Sequence, residues 1–107
     1  MAVPEIQVRR IAAYCAARVP AQACDQVRVE HTIRGSTVTI FETRPPWDRV
    51  GGEWTRQPIA QLRHDGRRWR LWWPDCRARW HPVDTAPSVS PDPLLEVLDD
   101  PGRAPFW

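Results

Sequence analysis

Val8, Ile11, Ala12 and Cys15 recur at the i, i+3, i+4, i+7 spacing that lines up one face of a helix. Pro4 and Glu5 precede the pattern, Arg18 sits where a cation suits the helix dipole, and Pro20 cannot continue the turn, so a helix is predicted over residues 5 to 18. The period then falls to two. Val27, Val29, His31 and Ile33 alternate with Arg28, Glu30, Thr32 and Arg34, and after "RGS" the alternation resumes with Val38, Ile40 and Glu42 against Thr37, Thr39 and Phe41. This is a β-hairpin with one apolar and one polar face. A second hairpin is written in "PIAQLRH" and "RRWRLWW", which flank Asp65-Gly66, a dipeptide that tight turns favour. A short fifth strand, Arg79 to Val83, follows a turn at Pro74 and Asp75. After a Pro/Ser linker, Asp92 as N-cap, Pro93 at the first helical position, the apolar Leu94, Leu95 and Leu98 and a stop at Pro101-Gly102 predict a short C-terminal helix.

The fold class that follows is α+β: an N-terminal helix, an antiparallel β-meander of about five strands and a short C-terminal helix, forming one domain over 1–107. Val29, Ile33, Val38, Ile40, Leu62 and Leu71 are the expected core beneath Ile11 and Cys15. In the third strand Ile59, Gln61 and Arg63 share one face and Ala60, Leu62 and His64 the other. In the fourth, Trp69, Leu71 and Trp73 oppose Arg70 and Trp72.

A chain of 107 residues can bury one core. No apolar run approaches the roughly 20 residues of a membrane span, and Glu5, Arg9 and Arg10 interrupt the place of a secretory signal. The expectation is a cytoplasmic protein with no membrane association. Its 3 cysteines are Cys15, Cys24 and Cys76. They form neither a disulfide framework nor a zinc motif, so no metal or other cofactor is expected. The net charge of +2 does not by itself argue for nucleic acid. The kind of charge matters more: all 15 basic residues are Arg, each a planar fork able to pair bidentately with carboxylate or phosphate and to stack on aromatic rings. The 7 tryptophans supply such rings.

Trp72 beside Arg70 on the polar face of the sheet, with Arg67, Arg68 and Arg28 nearby, reads as an aromatic and arginine surface. It suits a protein partner, since Trp and Arg dominate binding hot spots, and alternatively single-stranded nucleic acid, whose bases stack on indole while phosphates meet guanidinium. In "RPPW", Pro45 and Pro46 favour an extended path that delivers Trp47 to a defined place. Arg44 and Arg56 flank this loop and Glu42 and Glu53 sit just inside it, so Arg–carboxylate pairs are expected to tie its two bases into a shelf. The candidate binding residues are Arg44, Trp47, Glu53, Trp54, Arg63, Arg70 and Trp72. A third reading, a metal-dependent hydrolase, rests on Glu42 and Glu53 converging. The chain has no Lys or Asn for the usual nuclease sets and no phosphate-binding glycine loop, so binding is favoured over catalysis. Oligomeric state is left open.

The strings "RPPW" at 44 to 47, "EWTRQPIAQLR" at 53 to 63, "W-x-L-x-W-x-D" at 69 to 75, "RWH" at 79 to 81 and the terminal "DP…FW" resemble the domain-of-unknown-function 3024 family. The resemblance spans nearly the whole chain. It implies a small bacterial protein and carries over no activity, cofactor or site residue.

Overall fold

The computed structural model describes residues 3–23, 26–46 and 52–100. Helix α1 (Glu5–Arg18) is followed by a 3₁₀ turn (Ala21–Ala23). Strands β1 (Arg28–Arg34), β2 (Thr37–Arg44), β3 (Thr55–His64), β4 (Trp69–Pro74) and β5 (Trp80–Pro82) come next, then helix α2 (Asp92–Asp99). The five strands form one antiparallel sheet in sequence order, β1 to β5. This is the expected α+β meander between two helices.

Both helices pack on one side of the sheet. Ile11 and Cys15 of α1 and Leu94, Leu95 and Leu98 of α2 close over Val38, Ile40, Ala60, Leu62, Trp69 and Leu71. Alternation puts these strand residues on one face, and the 3.6-residue period puts the helical ones on one stripe. Burial of both against each other is the main favourable term in the fold. Trp69 is fully buried, and its indole N–H donates to Gln7 Oε1 at 2.7 Å. Gln7 Nε2 in turn donates to the Val89 carbonyl at 2.9 Å. One side chain thus fastens α1 to the sheet and to the segment that leads into α2. Arg10 pairs with Asp92 at 3.1 Å, while Tyr14 Oη and Arg18 both donate to Asp99, each at 2.8 Å. The two helices therefore run in the same direction.

Several details depart from the sequence reading. Ile33 is 49 % exposed: it is the penultimate residue of β1, an edge strand with a sheet neighbour on one side only. Asp92 lies inside α2 rather than capping it: Pro91 holds the cap position, its carbonyl accepting from Leu94 and Leu95, while Ser90 Oγ accepts the Asp92 amide at 3.3 Å. The predicted stop at Pro101-Gly102 lies outside the described residues. Asp65-Gly66 opens a four-residue turn, in which Asp65 Oδ1 accepts the amides of Arg67 at 2.9 Å and Arg68 at 2.8 Å. Those two N–H groups, that of Arg68 foremost, hold the Asp65 carboxyl below its usual range. Gly66 has φ +105°, a conformation that costs a residue without Cβ little.

The largest departure is a β-bulge. Ile40 pairs with Ala60 but Phe41 pairs with Pro58, leaving Ile59 as an extra residue in β3. Pro58 has no N–H for the ladder, and a bulge is one of the few places in a sheet interior that tolerates it. Beyond the bulge the alternation of β3 is reversed. Arg56 and Pro58 share a face with Gln61 and Arg63, and Ile59 packs against the core instead of joining them.

Candidate functional site

The face of the sheet turned away from the helices has little aliphatic surface. By strand register it carries Arg28, Glu30, Thr32 and Arg34 from β1, then Thr37, Thr39, Phe41 and Thr43 from β2. Arg56, Gln61 and Arg63 of β3 follow, with Arg70 and Trp72 of β4. Thr and Arg on alternate positions of β1 and β2 are compatible with strand geometry and leave polar groups in water. Glu30 is the one carboxylate among these positions, against five guanidinium groups.

Three aromatic rings on this side are covered by arginines. Arg28 lies 4.3 Å from the Trp54 ring centroid, Arg56 lies 4.4 Å from that of Phe41, and Arg63 lies 3.9 Å from that of Trp72. Such contacts contribute roughly 0.5–1 kcal/mol each at exposed sites. They also hold flexible, charged side chains flat against the sheet. Arg63 is held twice: its Nε donates to Gln61 Oε1 at 3.0 Å, and Gln61 Nε2 donates to Thr39 Oγ1 at 3.1 Å. Among the described residues, Arg34, Arg56, Arg63 and Arg70 form no ion pair. Thr32, Arg34, Thr37, Thr39, Phe41, Gln61 and Arg63 line a depression of about 430 Å³ on this face.

The residues singled out from the sequence divide into groups. Trp54, Arg63, Arg70 and Trp72 all lie on the open face or at its margin. Arg44 belongs to the helix-side alternation of β2, where its Nε donates to Glu42 Oε1 at 2.7 Å within the same strand. The loop bases are joined by the β2–β3 ladder and by Thr55 Oγ1 donating to the Arg44 carbonyl at 3.4 Å; among the described residues no Arg–carboxylate pair crosses the loop. Arg56, expected to join that bridge, stacks on Phe41. Glu53 is exposed, and Trp47 lies outside the described residues. Arg34, Thr39, Phe41, Arg56 and Gln61 also lie on the face and were not among the candidates. A signal for Arg34 and Thr39 was present in the alternation of β1 and β2, whereas Arg56 is brought over by the bulge.

Polar groups elsewhere are mostly engaged in turns. Asp75 Oδ1 accepts the amides of Arg77 at 2.8 Å and Arg79 at 2.9 Å, and its Oδ2 meets His81 Nε2 at 2.7 Å. The His81 hydrogen bond first, then these amides, lower the Asp75 carboxyl to about 2. His81 stacks on Trp73 with centroids 4.7 Å apart. His64 is buried against Trp69, and its Nδ1 accepts the Gly66 amide at 3.2 Å. Burial pushes the Cys15 thiol up to about 11, so it is an inert core residue, while Cys76 is exposed. No group of three or more His, Cys, Asp or Glu gathers among the described residues, and no helix there is long and apolar enough to cross a membrane.

Residues 2–107 match the family model described as Domain of unknown function (DUF3024). No curated protein and no solved structure matches the chain.

Proposed function

We propose that this chain, which belongs to the DUF3024 family, binds single-stranded nucleic acid through the open face of its sheet. The observation that carries the reading is the set of guanidinium groups on that face, several pinned on aromatic rings, with Glu30 the one carboxylate among the described strand positions of that face. A polyanion exchanges its counterions for such groups. Restricting arginine side chains beforehand lowers the entropy lost on binding. Bases have π-faces that stack on rings and on guanidinium planes alike, without demanding a particular sequence.

A protein partner is the competing reading from the Trp and Arg content. An interface of that kind draws its energy from a desolvated apolar anchor. Among the described residues the exposed large hydrophobics are Ile6, Ile33 and Val89, none of which belongs to the open face. Titration of a fluorescent single-stranded oligonucleotide at several ionic strengths distinguishes the two. Engagement of Arg34, Arg56, Arg63 and Arg70 with phosphates gives a slope of log K against log salt near −3, at about 0.7 per phosphate neutralised. Absence of binding at about 50 mM salt, where contacts of this kind are strong, removes the nucleic-acid reading. A partner protein that loses most of its affinity on Trp72→Ala, with a shallow salt response, establishes the other.

A further inference from the structure

We infer that the depression on the open face is a phosphate subsite with Arg63 as its anchor and Gln61 and Thr39 as positioning residues. The inference rests on the nucleic-acid reading and gives that reading a centre. Arg63 is fixed in two directions. Trp72 sets the plane of its guanidinium from below, and Gln61 Oε1 sets the rotation within that plane by accepting from Nε. Gln61 is itself oriented, because its amide nitrogen is committed to Thr39 Oγ1. That hydrogen bond assigns which end of the Gln61 amide faces Arg63, and the oxygen is the end an Nε–H requires.

The consequence is a fork with its inner N–H satisfied. Both terminal nitrogens of Arg63 are without a hydrogen-bond partner among the described residues. Two parallel N–H donors in one plane match two oxygens of a phosphodiester. Arg34 contributes a second cation to the lining of the same depression, and Thr32 and Thr37 add hydroxyl-bearing side chains to it as hydrogen-bonding groups for sugar or base. Arg70 pairs with Arg63 in the register of β3 and β4, yet no ring or hydrogen-bond acceptor among the described residues fixes it. It supplies charge without orientation.

Four variants and one labelled oligo(dT) separate these roles, with circular dichroism confirming that each variant is folded. Arg63→Lys keeps the charge and removes the fork, so affinity falls roughly tenfold while the salt slope is retained. Gln61→Leu frees Arg63 to rotate and lowers affinity several-fold, again with the slope retained. Its spectroscopic signature is loss of the protected Arg63 Nε–H resonance at an otherwise unchanged spectrum, which separates release of Arg63 from a general loss of structure. Gln61→Glu preserves the acceptor but places a carboxylate against Arg63, and the slope drops by about 0.7. Arg70→Ala also lowers the slope by about 0.7, with a smaller loss of affinity at high salt than Arg63→Lys causes. If the unaltered protein binds the oligonucleotide and Arg63→Lys and Gln61→Leu bind it equally well, the subsite is refuted and the wider reading stands. If the unaltered protein does not bind it at all, both fall.

Discussion

The hydrogen bond from Trp69 to Gln7 offers a test of how the helical layer is fastened to the sheet. Gln7→Leu removes the acceptor for the Trp69 indole N–H. Trp69 has no solvent exposure, so water cannot replace the lost partner. A buried donor left unpaired costs roughly 1–3 kcal/mol, and loss of the exposed Gln7–Val89 bond adds about 0.5–1 kcal/mol. The variant is expected to lose roughly 2–3 kcal/mol, a fall in Tm on the order of 10 °C for a chain of this size. Trp69→Phe removes the donor as well as part of a buried ring, at about 1–2 kcal/mol for the missing volume. It leaves Gln7 half-buried and within reach of water. In the double variant no donor is orphaned, so its loss is smaller than the sum of the single losses by about 1–2 kcal/mol. Urea unfolding followed by far-UV circular dichroism measures all four corners of this cycle. Losses that add within about 0.5 kcal/mol refute the argument, as does a Gln7→Leu loss below that figure.

Two further expectations concern the turn at Asp75 and the ring under Arg63. The Asp75 carboxyl titrates at about 2 when folded and near 3.9 when unfolded, so its support of the β4–β5 turn is complete above pH 4 and is lost as pH falls through about 2; amide resonances of Arg77 and Arg79 should titrate with that low midpoint, and a midpoint near 3.9 overturns the assignment. The Trp72 indole N–H is buried without a hydrogen-bond partner, so Trp72→Phe removes an unmet donor along with some ring area and should change stability by less than about 1 kcal/mol; a loss above 2 kcal/mol in chemical denaturation shows that the N–H has a partner after all.

Local signals determined most of the fold. The i, i+3, i+4 spacing of Val8, Ile11 and Cys15 and the period-two runs of β1 and β2 depend on residues close together in the chain. The burial of Ile11, Cys15, Val38, Ile40, Leu62 and Leu71 follows from those periods alone. Trp72 and Arg70 were legible as neighbours on a polar face for the same reason. Ile33 was not legible as exposed, because its place in the alternation is that of a core residue and only its position near the end of an edge strand of the folded sheet leaves it open. The composition of the open face likewise belonged to the tertiary structure. An uninterrupted alternation through β3 puts Arg56 on the side of Ala60 and Leu62. The bulge at Ile59 inserts one residue, reverses the parity, and sets Arg56 over Phe41 on the same surface as Arg63. Arg44, which alternation and charge both offered as a loop clamp, stays on the helix side with Glu42, since no bulge interrupts β2. Sequence carries the period of each strand; where a partner strand makes that period slip is decided by pairing between residues far apart in the chain.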